Sequence, residues 1–264
     1  MSKVQKPYNK RQHYKKTAKR NTIDVNLKGF LCSCNNREKD CVRETYNILN
    51  KYADIMWPPQ PLESGTAPAE IEEDLEGELK QLRALKTEEK RFQVVDSGAK
   101  NFLFIKTTLE EPVKLAESIL QDISLKKTQE TRFLLRLVPV ETTCKAFIKD
   151  IEKAFEPLCE KYFGSENMSY SIVFNHRNND SVSRDEVIKI IAECVAKTGE
   201  EKNLEHKVNL KNANVSIIIE VIRGFAFLGV VPNFIKYKKY NLLAFLLQEE
   251  TNPASTNVNT LNDD

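Results

Sequence analysis

The chain has 264 residues, of which 41% are hydrophobic and 30% charged, with a formal net charge of +2. That is the make-up of a globular protein long enough for two compact domains. No run approaches the ~20 apolar residues of a membrane span, and residues 1–20 (MSKVQKPYNKRQHYKKTAKR) lack the apolar core of a secretory signal, so an intracellular protein that does not enter a membrane is expected.

Residues 1–26 read as a basic disordered arm. Eight Lys or Arg and no acid fall in residues 1–20, a pattern that suits a polyanion partner and equally a nuclear-targeting tail. Lys28–Cys34 has strand character. Glu38–Met56 follows at helical spacing, with Cys41, Tyr46, Ile48, Leu49, Tyr52 and Met56 as its buried positions. Pro58, Pro59 and Pro61 end that helix and open an acidic linker at about 57–80, in which Trp57 to Leu79 holds seven acids and no Lys or Arg. Helix resumes late in Ala69–Leu85, on Leu75, Leu79, Leu82 and Leu85. Strands at Arg91–Val95 and Asn101–Lys106 are joined by the turn Asp96-Ser97-Gly98-Ala99.

Past Pro112 helices and strands alternate: helix Val113–Leu125, strand Thr131–Val138, helix Cys144–Phe163, strand Ser169–Phe174, helix Arg184–Lys197, then strands Val215–Ile222 and Phe225–Val230. Such alternation places helices on a sheet, an α/β (α+β) architecture. In Cys144–Phe163 the apolar positions keep a core face, and Lys145, Lys149 and Lys153 recur every four residues as a basic stripe, which also reads as a solvated face. Ser183 and Glu186 form a capping box at the start of Arg184–Lys197. Pro232–Leu247 is ambiguous between loop and helix. Residues 241–264 form a polar tail, disordered from about 251.

The six cysteines do not make a metal site. Cys32, Cys34 and Cys41 supply three ligands with no histidine nearby, since the only histidines are His13, His176 and His206. Reduced thiols are expected, Cys159 and Cys194 on apolar helix faces. No Walker loop, dinucleotide fingerprint, G-x-S-x-G elbow or H-E-x-x-H is present. No catalytic residue, cofactor or metal is assigned, and the balance favours a binding module over an enzyme.

Four stretches carry a family resemblance: GFLCSCNNREKDCVRETYNILNKY (29–52), RFQVVDSGAKNFLFIKT (91–107), RFLLRLVPVETTCKAF (132–147) and FNHRNNDSVSRDEVI (174–188). In this order they resemble the THUMP domain-containing protein 1 family, over roughly residues 27 to 240. The resemblance implies an N-terminal ferredoxin-like region at 27–108, acidic linker included, followed by a THUMP RNA-binding domain at 109–240, with helices packed on mixed sheets. It implies a non-catalytic adaptor that presents serine and leucine tRNAs to a separate RNA cytidine acetyltransferase for N4-acetylcytidine formation. The implied partners are tRNA, held by its acceptor end and neighbouring backbone, and that acetyltransferase; a monomer in the free state and a nuclear or nucleolar location are expected. The alternatives are a stand-alone RNA-modifying enzyme and a protein scaffold that does not touch RNA.

Within 174–188, Arg and Asn at a strand end can hydrogen-bond phosphate, sugar or an unstacked base, and a helix N-terminus just beyond favours an anion. Arg177, Asn178, Asn179 and Arg184 are the expected RNA contacts, with His176 a bystander. Lys145, Lys149, Lys153, Lys236, Lys238 and Lys239 are the expected phosphate-tracking lysines.

Overall fold

A computed structural model of the chain describes residues 22–58 and 90–245. Residues 1–21 of the expected basic arm, nearly all of the acidic linker with its expected helix, and the tail beyond Phe245 lie outside the described residues; residues 22–26, expected to be disordered with the arm, are instead packed on the fold, with Ile23 buried and Asn26 N donating to Thr143 O at 2.7 Å.

The first unit runs β1 (Gly29–Cys34), α1 (Glu38–Met56), β2 (Phe92–Asp96), β3 (Phe102–Thr107), α2 (Pro112–Lys126) and β4 (Leu134–Val140). Its four strands lie in the order β2-β3-β1-β4, and every neighbouring pair is antiparallel. This is the split βαβ of a ferredoxin-like unit. Alternation along β1 sends Phe30, Cys32 and Cys34 to the core beneath α1 and α2, while Leu31 packs on the opposite face. Pro112 occupies the first turn of α2, where its missing N–H costs nothing, and Lys127 closes the helix in the left-handed region. Because α2 and β4 complete this sheet, the expected division after residue 108 falls inside the unit; the change of sheet comes between Val140 and Thr142.

The second unit comprises β5 (Thr142–Lys145), α3 (Ile148–Phe163), β6 (Ser169–Arg177), α4 (Arg184–Lys202), β7 (Lys207–Val208), β8 (Val215–Ile222) and β9 (Phe225–Pro232). Its strand order is β5-β9-β8-β6-β7, with β8, β6 and β7 parallel and the other pairs antiparallel. Helices α3 and α4 cover one face through Ile151, Phe155, Val187, Ile191 and Val195, packed against Ile217, Ile219 and Val221. The run VSIIIEVI is buried along its whole length, which explains why it lacks a polar face.

The expected helix at Cys144–Phe163 starts later than its periodicity suggests. Cys144 and Lys145 pair with Ala226 and Phe225 in a β-ladder, and Phe147 is extended before the helix begins at Ile148. The two sheets meet through Leu31, Phe104, Val140, Ile222 and Phe227. Glu141, between β4 and β5, fastens the junction: it accepts bonds from Lys161 Nζ at 2.6 Å, Tyr162 OH at 3.0 Å and Val230 N at 3.1 Å. After β9 the chain returns to the first unit, where Phe234, Tyr237, Tyr240 and Leu242 join its core.

All six cysteines are free. Cys32 and Cys41 face Thr45 Oγ1 in the first core, and burial pushes the Cys41 thiol up to about 12.

Candidate nucleic-acid interface

β6 carries the centre of the site. Tyr170 and Phe174 point into the core under α3 and α4, whereas Ser171, Val173, Asn175 and Arg177 face the first unit. In the parallel ladder with β8, Asn175 is level with Glu220 and Arg177 with Ile222. Leu31, Phe102, Arg136 and Val138 stand opposite on the first sheet, and Phe234, Ile235 and Lys239 close one side. Together these surfaces bound a groove of about 380 Å³ between the two units.

Arg177 ends β6, exposed, with its guanidinium carbon 3.9 Å from the centroid of the Phe102 ring. A guanidinium lying over an aromatic ring keeps its in-plane N–H groups available to a phosphate. Among the described residues no acceptor pairs with those N–H groups. Arg136 stands across the groove, and Lys239, held at φ 60, brings a third positive charge to its lining.

Glu220 lies at the groove's floor with 8% of its surface exposed. Asn175 Nδ2 donates to its Oε1 at 2.7 Å, while Oε2 is buried without a hydrogen-bond partner. Burial raises the acid above its ordinary 4.5; the Asn175 bond and the charges of Arg177 and Arg136 oppose that rise.

The turn after β6 is organised to hold Arg177 still. Asn178 takes the left-handed region at φ 52, which asparagine tolerates. Asn179 Nδ2 donates to Arg223 O at 2.6 Å, and its Oδ1 accepts from Ser181 N and Val182 N at 3.1 and 3.2 Å. Asn179, expected to contact RNA, is therefore committed to the protein's own backbone; the short amide that makes it a good ligand also makes it a good turn-former. Asn178 and Arg184 are exposed. Ser183 does occupy the N-cap position of α4, but its hydroxyl makes no capping bond, so the expected capping box does not close. His176 Nδ1 sits 2.7 Å from Asn179 O, inside the same turn.

The turns beside the groove converge on one rim. Arg223 N donates to Arg177 O at 2.9 Å, and the Arg223 side chain lies so close to Gly98, at φ +77, that an added Cβ there would meet it at 2.9 Å. Thr22, the first described residue, bridges Asp96 beside that glycine.

The expected lysines divide. Lys145 belongs to β5, not to the helical stripe, with its Nζ 4.3 Å from the Phe225 ring centroid. Lys145 and Lys153 share a second hollow of about 460 Å³ with Asp150 and Val25, apart from the groove, while Lys149 is exposed on α3. Lys236 and Lys238 are exposed on the C-terminal turn. Of the ten expected contacts, the structure brings Arg177 and Lys239 together at the groove. Sequence reasoning missed Arg136, Asn175, Phe102 and Glu220; only Glu220 left a signal, as the lone charge inside VSIIIEVI.

Residues 145–231 match the THUMP domain family model. The THUMP domain-containing protein 1 homolog of Drosophila melanogaster is 39% identical over 89% of this chain and 78% of its own length. THUMP domain-containing protein 1 of Homo sapiens is 37% identical over 83% of this chain and 64% of its own, so the chain spans under two thirds of that relative. The tRNA acetyltransferase TAN1 of Saccharomyces cerevisiae is 24% identical over 83% of this chain and 85% of its own. No helix among the described residues is long and apolar enough to cross a membrane, and no group of three or more His, Cys, Asp or Glu side chains among them could hold a metal ion.

Proposed function

The chain belongs to the THUMP domain-containing protein 1 family, and from that premise we propose that it binds tRNA in the groove between its two units and hands it to a separate RNA cytidine acetyltransferase. The observation that carries the reading is the Arg177 guanidinium, exposed at the end of β6 and 3.9 Å from the Phe102 ring centroid. Arg136 and Lys239 share its groove. Basic groups so placed bind phosphate with salt-dependent affinity.

The eight basic residues of 1–20 would add sequence-blind electrostatic attraction for RNA. Arg184 and the lysines at 145, 149, 153, 236 and 238 extend the surface along which the tRNA backbone runs. The substrates in this reading are serine and leucine tRNAs, the product N4-acetylcytidine, and the place of work the nucleus or nucleolus.

A second reading, an acetyltransferase in its own right, is favoured by the similarity to the yeast tRNA acetyltransferase TAN1. One reconstitution separates the two. The purified chain is incubated with tRNA, acetyl-CoA and ATP, with and without an RNA cytidine acetyltransferase, and nucleosides are analysed by mass spectrometry. The adaptor reading expects N4-acetylcytidine only when the enzyme is present, and more of it when this chain is added. Acetylation by the chain alone would overturn it.

A further inference from the structure

Glu220 is the one buried carboxylate of the groove, and the tRNA-binding reading by itself gives it no task. A phosphate-binding cleft gains nothing from an acid in its floor, which repels the ligand. Arg136 and Arg177 influence its charge, yet neither closes an ion pair with it. Of its two oxygens, Asn175 Nδ2 holds Oε1 and leaves Oε2 buried and unpartnered. A buried acceptor left empty costs stability, and its persistence calls for a ligand that completes it.

The surroundings restrict what that ligand is. At about 380 Å³ the groove has room for a guest much larger than one water. A cationic side chain is disfavoured by Arg136 and Arg177 at the same opening. An anion suits those arginines and is repelled by Glu220. What satisfies all of them is a molecule anionic at one end, with a neutral N–H donor at the other and a flat body between. A nucleotide has that form. Its phosphate meets Arg177 and Arg136, its base lies along Leu31, Val138 and Phe234, and an N–H on the base edge reaches Oε2.

The geometry points to Glu220 as a base-reading residue: its free Oε2 accepts a hydrogen bond from the exocyclic amine of one unstacked cytosine, adenine or guanine seated in the groove. Uracil is discriminated against. It has no exocyclic amine, and its single ring N–H in the pairing edge is flanked by two carbonyl oxygens that repel the carboxylate. The inference rests on the tRNA-binding reading and adds a rule about the base that the positive surface cannot supply, since phosphate contacts carry no sequence information.

The test uses the whole chain and fluorescently labelled single-stranded homopolymers of cytidine, adenosine or uridine, followed by anisotropy at fixed salt. A fourth probe carries N4,N4-dimethylcytidine, which lacks the amine protons. The wild type is expected to bind the cytidine and adenosine probes about tenfold more tightly than uridine or dimethylcytidine, the scale of one hydrogen bond to a charged group. Glu220→Gln keeps the shape and replaces the acceptor, so the preference should fall to near parity while the salt slope stays unchanged. Equal wild-type affinity for all four probes, or an undiminished preference in Glu220→Gln, overturns the inference and leaves tRNA binding standing. Absence of binding to every probe and to tRNA at low salt removes both. Should Glu220→Gln fail to melt cooperatively, the cytidine and dimethylcytidine probes still decide the matter on the wild type alone.

Discussion

At the scale of single residues, the groove joins a cation held by an aromatic ring to an acid held in the dark. Arg177 combines charge, planarity and stacking on Phe102, so lysine is no equivalent there. Arg177→Ala is expected to weaken tRNA binding about tenfold and to flatten log affinity against log salt by ~1, with Arg177→Lys in between; isothermal titration at several salt concentrations checks both. Glu220 should show in stability. Burial raises its carboxyl in the folded state, so the stability that Glu220 itself contributes is fully present below its ordinary 4.5 and is lost as pH rises through the raised value. Glu220→Gln, neutral throughout, is expected to melt roughly a few degrees above the wild type at pH 7, the gap closing toward pH 4. A lower melting point at pH 7 would mean that Glu220 serves the fold. Arg177 could be read in FNHRNN because a strand end followed by a helix start is a local pattern. Glu220's role could not, since its partner on β6 lies 45 positions away.

Among elements, local periodicity was a sound guide wherever no ladder competed with it. Helices α1, α2 and α4 and strands β1, β8 and β9 lie close to where apolar spacing puts them. The failure is instructive. Cys144 and Lys145 have helical spacing to α3, but Ala226 and Phe225 offer them strand partners, and a non-local ladder is invisible in a window of the chain. That removed Lys145 from the basic stripe. The same junction holds Glu141, whose carboxyl gathers Lys161, Tyr162 and the Val230 N–H. Glu141→Ala leaves these donors without their acceptor and is expected to cost about 2–3 kcal/mol in chemical denaturation. Because the junction sets the second sheet against the first, tRNA affinity should fall in this variant although it removes no positive charge. Glu141→Gln, retaining part of the bonding, should lie between.

For the whole molecule, an expected α/β alternation became two sheets with helices on their outer faces and a groove where the sheets meet. Family resemblance gave the ferredoxin-like region, but β4 returns to a sheet begun more than about 100 residues earlier, beyond the end expected at residue 108, and that crossover leaves no local mark. The groove owes its shape to this return and to the C-terminal turn carrying Lys239. The most direct measurement of the central claim is tRNA affinity across a salt series for the wild type, for Arg136→Ala with Arg177→Ala, and for Lys149→Ala with Lys153→Ala on the far helix. Groove binding requires that the arginine pair lose affinity steeply and flatten the salt slope by ~2, while the α3 pair changes it less. A slope and affinity untouched by the arginine pair, in a protein that melts normally, would contradict it.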